Sequence, residues 1–254
     1  MSTPRFHVAP LAAAGELSLD QAHHARDVLR LDNGHAVVLF DGDGLWASAE
    51  LVIAKKHVRY TLSGPLHREP PPFCQLTIAT AVPKGDRAGF LLEQLSQLGA
   101  TRLIWLDCRY SVVHPSGDAA KMDKWKRLAI ESAKQCGRSR ILSVEPPRTP
   151  EQLISDNTLS STMIWAHPDA PQTLWERIAI WRNARTGRPS TTENNGITIM
   201  IGPEGGWSDH EQRLLKKTTP PVRLATHILR IETAATAATA IAEAAIAGNL
   251  NAGI

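Results

Sequence analysis

The alternation of hydrophobic and polar positions changes its character near residue 70. Before residue 66, short alternating runs are separated by turns, and Asp41-Gly42-Asp43-Gly44 stands between the runs Ala36–Phe40 and Leu45–Ile53. This arrangement predicts a β-hairpin. Residues 1–70 are therefore predicted to form a small, mostly β domain of the barrel type. A helix is predicted before the hairpin, with apolar residues at Ala22, Ala25, Val28 and Leu29.

After the proline run at residues 70–72, which is typical of a stiff linker, strand-like apolar runs alternate with helical ones. This alternation predicts an α/β domain over residues 73–254 with a largely parallel sheet. The polar stretch 183–195 predicts a loop. The predicted strands, each with the helix that follows it, are Leu76–Val82 with 86–98, Leu103–Leu106 with 119–135, Ile141–Val144 with 150–155, Met163–Ala166 with 172–182, Ile197–Ile201 with 208–217, and Val222–Ala225 with an alanine-rich C-terminal helix.

Basic residues are concentrated in the middle of the chain. Residues 84–148 contain 12 Lys and Arg against 7 Asp and Glu, whereas residues 1–72 contain 7 against 8 and residues 149–254 contain 9 against 10. A basic segment favours an acidic partner such as nucleic acid, with a solvated basic surface as the common alternative. The 43% hydrophobic content over 254 residues is otherwise ordinary for a globular protein.

The cysteines and the N-terminus exclude several classes of protein. Cys74, Cys108 and Cys136 are odd in number and contain no C-x-x-C pair, which argues against a disulfide framework or a zinc site. The N-terminal MSTPRFHVAP lacks the apolar region of a secretory signal, and the apolar C-terminal stretch carries Glu243. We therefore expect a cytoplasmic protein without a metal site or a membrane span.

A glycine-rich bend, Gly202-Pro203-Glu204-Gly205-Gly206, follows the predicted strand Ile197–Ile201. Ligands of open α/β sheets lie at the carboxyl ends of such strands. The bend has no lysine for a P-loop, and its spacing does not match a dinucleotide fingerprint. Two interpretations stay open: a tight turn that needs glycine, or a main chain that approaches a flat, uncharged group such as adenine. Beyond the bend, Ser208 and Glu211 have the spacing of a capping box.

A second segment, ILRIETAAT at residues 228–236, places two charges in apolar surroundings. Arg230 and Glu232 stand at the predicted start of the C-terminal helix, and charged groups are seldom buried without partners. The alternative is a solvent-exposed first helical turn with no special role.

Together the two segments resemble the signature I-G-P-E-G-G-W-S-x-x-E followed by L-R-x-E-T-A of the bacterial small-subunit (16S) ribosomal RNA (uracil-N3) methyltransferases, in the SPOUT superfamily. The resemblance extends over essentially the whole chain. Residues that differ from the usual family pattern are Gln94, Gln97, Ala225, His227 and Ile231. Further similar blocks are Lys84-Gly85-Asp86-Arg87, Gln97-Leu98-Gly99, Arg109-Tyr110-Ser111-Val112-Val113, Glu131–Arg138, His24, Val28-Leu29-Arg30, Gly34 and Phe40-Asp41-Gly42.

The resemblance implies a PUA-like N-terminal domain and a C-terminal domain with a deep trefoil knot that binds S-adenosylmethionine. It also implies a homodimer and, as acceptor, small-subunit ribosomal RNA within the assembled 30S subunit. His167-Pro168 is expected to form a third wall of the cofactor site. The implied cofactor-binding residues are Ile201, Gly202, Pro203, Glu204, Gly205, Gly206, Leu224, Ile228, Leu229, Arg230, Thr233 and Ala234.

Methylation at N3 of uracil requires loss of the N3 proton, by a base or by stabilisation of the uracil anion. Arg138 and Arg230 are expected to stabilise the anion or to hold phosphate. Glu204 and Glu232 are expected to orient loops, with a base role as the alternative, and His227 is a weaker candidate base. The expected RNA-binding residues are Lys84, Arg87, Arg109, Ser111, Arg138 and Arg30.

Two other functional hypotheses remain at this point. One is a non-catalytic RNA-binding or ribosome-assembly factor that retains the fold, and the other is a nucleotide-dependent enzyme that uses the same bend. The intact glycine bend and E-T-A segment argue against the first, and the missing lysine argues against the second.

Overall fold

The computed structural model describes residues 3–55, 57–156, 162–184, 195–218 and 220–247. Most of the loop predicted at 183–195 lies outside the described residues. The chain divides into two compact units, an N-terminal unit of Met1–Pro71 with Ile130–Ile141 and a C-terminal unit of Pro72–Ala129 with Leu142–Ile254. Among the described residues, no helix has the length and apolar character needed to cross a bilayer.

The N-terminal unit is built on a six-stranded sheet with the order β1-β3-β4-β5-β2, in which β6 also pairs with β4. Phe6, Leu39, Leu51 and Tyr60 contribute to its core. Its strands and helix are β1 (Arg5–His7), β2 (Ala14–Glu16), α1 (Leu19–His23, continued by a π-helix at His24–Val28), β3 (Ala36–Phe40), β4 (Leu45–Ala54), β5 (His57–Leu62) and β6 (His67–Arg68).

The predicted hairpin is confirmed. Strands β3 and β4 pair antiparallel, and the Asp41 carboxylate accepts hydrogen bonds from the N–H groups of Asp43 and Leu45 at 2.7 and 2.9 Å. The predicted helix is also present, but only part of its apolar face is buried. Ala22 and Ala25 lie in the core, whereas Val28 and Leu29 are 58% and 41% exposed.

The C-terminal unit alternates strands and helices as predicted. Its described elements are β7 (Gln75–Ala81), α2 (Arg87–Gln97), β8 (Arg102–Leu106), α3 (Ala119–Cys136), β9 (Ser143–Arg148), α4 (Pro150–Ser155), β10 (Thr162–Trp165), α5 (Leu174–Asn183), β11 (Gly196–Ile201), α6 (Asp209–Thr218) and α7 (Ile231–Ala247).

Five of these strands form an all-parallel sheet with the order β10-β11-β7-β8-β9. The central strand β7 pairs with β11 on one side and β8 on the other, so that Ile78 lies between Ile199 and Leu103. All six residues of β11 are buried, as are all but the first of β7. Burial on both faces explains their continuous apolar runs, since a strand with one solvated face would alternate.

Two predicted strands differ from the structure. The strand predicted at Ile141–Val144 lies at Ser143–Arg148. The strand predicted at Val222–Ala225 is wrong, because this segment makes only isolated bridges, Val222 with Ala166 and Arg223 with Thr173. Prolines 220 and 221 lack N–H groups, and the next two residues bond to two different segments, so no continuous ladder forms.

The segment Ile130–Ile141, which includes the last turns of α3, groups with the N-terminal unit. The Arg5 guanidinium donates to the Arg138 carbonyl and to the Ser139 hydroxyl. The backbone N–H of Ser139 donates to the Glu69 carboxylate at 2.7 Å, and Arg140 donates to the Glu69 carbonyl at 3.0 Å. These polar contacts attach a distant part of the sequence to the small unit.

The central position of β7 leads to a stability prediction. Ile78 is fully buried, whereas Ile180 on α5 is 54% exposed, so the same substitution tests burial at two sites. Ile78→Ala is expected to lower the free energy of unfolding by about 2–5 kcal/mol through lost burial and a residual cavity. Ile180→Ala is expected to change it by less than about 0.5 kcal/mol. Urea denaturation measures both, and equal effects would contradict the central role of β7.

Candidate active site

A pocket of about 600 Å³ opens at the carboxyl ends of β10 and β11. One wall is Ile201–Trp207, which contains the glycine bend, and another is Ala166–Asp169, which includes the predicted His167-Pro168. The remaining wall is formed by Arg223–Ala225, His227–Ile231 and Ala234. Every residue predicted to bind the cofactor therefore lines this pocket except Thr233, which is exposed at the start of α7.

The glycines of the bend allow close packing of the protein against itself. A Cβ added at Gly202 would lie 2.8 Å from the Trp207 indole, and one at Gly205 would lie 2.9 Å from the Tyr110 Cβ. The Trp207 ring is 6% exposed, and its Nε1 donates to the Ala166 carbonyl at 3.0 Å. The bend is thus held between an indole and a tyrosine. Gly206 adopts a φ of +72°, which favours glycine, so the tight-turn interpretation is supported at that position.

The predicted capping box is confirmed at the start of α6. The Glu211 carboxylate accepts from the Ser208 N–H and hydroxyl, both at 2.7 Å, and the Glu211 N–H donates to the Ser208 hydroxyl at 3.3 Å. The other carboxylate oxygen accepts from the Arg109 N–H at 2.9 Å. This last bond joins the loop after β8 to the helix that follows the glycine bend.

Glu232 forms an ion pair with Arg87. The Arg87 Nη1 lies 2.8 Å from Glu232 Oε1, and Arg87 Nε donates to the Lys84 carbonyl. Burial raises the pKa of Glu232, but its own backbone N–H, Arg87 and Arg230 together lower that pKa below its usual range. Within the described part of the chain, Glu232 Oε2 is buried without a hydrogen-bond partner. A carboxylate held ionised in this way is a weak base. Its ion pair with Arg87 also fixes the start of α7 against α2.

The other predicted site residues are distributed over both units. Glu204 is exposed in the bend, and Arg230 is exposed with its carbonyl accepting from the Ala234 N–H. His227 is exposed and lines the pocket. Lys84 and Arg109 are exposed in the C-terminal unit, where the Ser111 hydroxyl accepts from the Cys108 N–H. Arg30 and Arg138 belong to the N-terminal unit.

The sequence alone did not identify several residues that shape this region, namely Trp207, Gln212 and Arg223 in the pocket wall and Tyr110 against Gly205. Trp207 stands in the quoted signature, but only the fold shows that its ring covers Gly202. A second, more open groove of about 600 Å³ lies at the Arg109 loop and the start of α6. No cluster able to hold a metal ion occurs in the described ranges.

The ion pair gives a pH-dependent prediction. Because the pKa of Glu232 is lowered in the folded protein, its contribution to stability is present above the unfolded pKa of about 4.3 and is lost as pH falls through the folded value. Arg87→Met is therefore expected to lower the free energy of unfolding by about 1 kcal/mol at neutral pH, since Arg87 is partly exposed. The effect should shrink below about pH 4.

Urea denaturation at the two pH values measures this difference. Arg213→Met, on the exposed surface of α6, is the matched control and is expected to show a small effect at both pH values. A loss in Arg87→Met that is independent of pH would contradict an ionic role for the pair.

Comparisons with known proteins give the family. The family described as RNA methyltransferase domain matches residues 69–243, and the RNA methyltransferase PUA domain matches residues 18–60. The ribosomal RNA small subunit methyltransferase E of Rickettsia conorii is 29% identical over 238 residues, covering 92% of this chain and 90% of the relative. The protein of the same name from Bacillus subtilis is 26% identical, and the match covers 85% of this chain and 84% of the relative.

Solved structures agree with this result. A Legionella pneumophila protein in complex with S-adenosylmethionine as cofactor is 26% identical, with a TM-score of 0.81 and coverage of 96% of this chain and 98% of that one. The ribosomal RNA small subunit methyltransferase E of Neisseria gonorrhoeae has the same fold, with a TM-score of 0.77 at 24% identity. The match covers 94% of this chain and 96% of that one. The pocket, the fold and both domain matches lead to one conclusion: this chain belongs to the RNA methyltransferase family that combines a PUA domain with an α/β methyltransferase domain.

Proposed function

We propose that the protein transfers a methyl group from S-adenosylmethionine to N3 of a uridine in small-subunit ribosomal RNA. The observation that carries this proposal is the pocket at the ends of β10 and β11, which gathers the glycine bend, the 224–230 segment and the start of α7. Relatives named ribosomal RNA small subunit methyltransferase E support the substrate class. The cofactor bound to the Legionella protein supports the methyl donor.

The residues around the pocket fit S-adenosylmethionine in size and in the signs of their charges. A volume of about 600 Å³ is typical of a small-molecule site. Main-chain groups of 202–206 and 224–230 would hold the adenine, with Ile201, Leu229 and Ala234 as apolar contacts. The pocket is also lined by two carboxylates and two guanidinium groups, which suits a ligand that carries both positive and negative groups, as S-adenosylmethionine does; these residues are Asp169, Glu204, Arg223 and Arg230. The bound cofactor supplies an electrophilic methyl group on its sulfonium.

The trefoil knot belongs to this proposal. After β11 and α6 the chain returns to β10, where Val222 bonds to Trp165 and His167, and it then enters α7. This return path supports a threaded arrangement of the kind found in the SPOUT superfamily, although chains generally avoid knots. We assign residues 73–254 to the methyltransferase domain and residues 1–70 to a PUA-like domain that positions RNA.

The uracil must lose its N3 proton and must leave its base pair. N3 lies on the pairing edge, so the target is unpaired or extruded from its helix. Arg230, at the mouth of the pocket, and Arg138 stabilise the developing uracil anion. Glu204 orients the bend or accepts the proton. Glu232 is assigned to positioning, because its ion pair with Arg87 and its lowered pKa make it a poor base.

The basic segment provides the surface for RNA. Lys84 and Arg109 are exposed, Ser111 lies in the same loop as Arg109, and Arg87 is the first residue of α2. Arg30 and Arg138, which belong to the N-terminal unit, are also proposed to bind RNA. The acceptor is assigned to the assembled small ribosomal subunit and the enzyme to a cytoplasmic homodimer, both from the family resemblance.

The direct test is transfer of labelled methyl from S-adenosylmethionine to small ribosomal subunits taken from a strain that lacks this protein. Mass spectrometry then identifies the modified nucleoside, and N3-methyluridine is the expected product. A different methylated nucleoside would contradict the proposed reaction. Cofactor binding without methyl transfer would indicate that the substrate is another RNA. Absence of both cofactor binding and methyl transfer would favour a non-catalytic assembly factor.

Gly202 provides a test of the cofactor site. Gly202→Ala places a Cβ 2.8 Å from the Trp207 indole, so the ring must move and the wall of the pocket moves with it. The affinity for S-adenosylmethionine, measured by calorimetry, is expected to fall at least about 10-fold. Gly89→Ala on α2 is the control, because its Cβ makes only an ordinary 3.6 Å contact with Leu128. Unchanged affinity in Gly202→Ala would argue that the cofactor binds elsewhere.

Arg138 provides a separate test of catalysis. Arg138→Ala is expected to keep its affinity for S-adenosylmethionine and to lose methyl transfer by about 100-fold or more, since it removes a charge that stabilises the anion. Lys217→Ala, at the exposed end of α6, is the control and should retain full transfer. Equal loss of cofactor affinity and transfer in Arg138→Ala would contradict the proposed role.

A further inference from the structure

In the described part of the C-terminal unit, three helices begin with a capping box, and they differ in whether the side chain that completes the box has a second partner. In α4 the Gln152 side chain accepts from the Thr149 N–H at 2.9 Å. In α5 the Glu176 carboxylate accepts from the Thr173 N–H and hydroxyl, both at 2.8 Å. Within the described residues, these two side chains accept hydrogen bonds only from their own cap residue. Gln152 shows that an amide is sufficient for a capping box.

The third box, at α6, uses both oxygens of its carboxylate. Glu211 Oε2 completes the box with Ser208, and Oε1 accepts from the Arg109 N–H at 2.9 Å. The Glu211 side chain is buried, with the residue only 3% exposed. A buried carboxylate with three donors and a bond across 102 residues does more than cap its own helix.

The bond to Arg109 reaches a loop that touches the glycine bend. Ser111 closes this loop by accepting from the Cys108 N–H at 3.1 Å, and Tyr110 packs on Gly205, where an added Cβ would lie 2.9 Å from the Tyr110 Cβ. Glu211 therefore holds two neighbouring segments, the start of α6 directly after Trp207 and the backbone at Arg109.

We propose that Glu211 is a positioning residue that locks the RNA-facing loop Cys108–Ser111 to the wall of the cofactor pocket, so that target uridine and methyl donor keep a fixed relative orientation. The inference rests on the proposed function. It assigns to Glu211 a role in alignment and not in cofactor affinity. The pocket wall itself is held independently by the bond from Trp207 to Ala166.

The substitution Glu211→Gln separates the capping box at Ser208 from the bond to Arg109. Both carboxylate oxygens face backbone N–H donors, so Gln must turn its NH₂ group toward one of them. If the amide oxygen of the new side chain accepts from the Ser208 N–H, as the Gln152 oxygen accepts from the Thr149 N–H, the capping box is retained. The NH₂ group then faces the Arg109 N–H, and the bond to Arg109 is lost. Glu176→Gln is the matched control, since it makes the same change in a box without the additional bond.

The test compares wild type, Glu211→Gln and Glu176→Gln by methyl transfer to small ribosomal subunits, by calorimetry with S-adenosylmethionine, and by hydrogen–deuterium exchange of residues 107–112. In Glu211→Gln we expect kcat to fall about 10- to 100-fold, because misplacement of reacting groups by a fraction of an ångström is costly. Cofactor affinity should change less than about 3-fold, and exchange at residues 107–112 should accelerate. Glu176→Gln should match wild type in all three.

The proposal is overturned if Glu211→Gln keeps the wild-type kcat, if its cofactor affinity falls by the same factor as kcat, or if exchange at residues 107–112 is unchanged. Should Glu211→Gln fail to fold, Glu211→Asp replaces it, since the shorter carboxylate cannot reach both Ser208 and Arg109. Failure of the wild type to methylate these subunits would contradict the proposed function, whereas the exchange comparison would still test the lock.

Discussion

The parallel sheet of the C-terminal unit sets the main physical constraint on this protein. Its central strands are buried on both faces and hold apolar side chains and the small hydroxyls of Thr77, Thr80 and Thr198, so the charged groups lie in the loops and helices beyond the strand ends. Because the strands are parallel, the loops after β8, β10 and β11 all emerge at the same edge of the sheet. Site residues that are far apart in sequence are brought together there by strand direction.

Those loops are held by a small number of specific contacts. The Trp207 indole covers Gly202 and bonds to the Ala166 carbonyl, which connects the loops after β11 and β10. Glu211 connects the start of α6 to the loop after β8. Arg87 and Glu232 connect α2 to the start of α7. Methyl transfer requires alignment more than acid–base power, and a pocket whose walls are fixed before the substrate arrives provides that alignment.

Much of this architecture was predictable from the sequence. The alternation of strand-like and helical segments placed nearly all the strands and helices of the C-terminal unit, because buried parallel strands leave a strong local signal. The strand predicted at Val222–Ala225 was wrong for two reasons. Pro220 and Pro221 directly before it lack the N–H groups of a ladder, and its apolar character does not show that its residues meet two different segments. The predicted cofactor residues, with the exception of Thr233, line one pocket.

Long-range side-chain contacts were not predictable in the same way. Arg87 is a predicted RNA-binding residue, and nothing in the local sequence indicated its ion pair with Glu232, 145 residues away. Glu211 was predicted as part of a capping box, but nothing in the local sequence indicated that it also accepts a hydrogen bond from the Arg109 N–H. The attachment of Ile130–Ile141 to the N-terminal unit likewise depends on Arg5, Glu69 and Arg140, which lie far apart in the sequence. Local sequence patterns predict helices and strands, whereas these side-chain contacts form between residues that only the completed fold brings together.

We propose that the pocket at the ends of β10 and β11 holds the methyl donor, and a crystal structure of the protein grown with S-adenosylmethionine tests this placement. The adenine is expected to contact the main chain of 202–206 and 224–230, with the methyl group facing the side of the pocket where Arg230 lies. Cofactor density outside the residues that line this pocket would show that the methyl donor binds elsewhere.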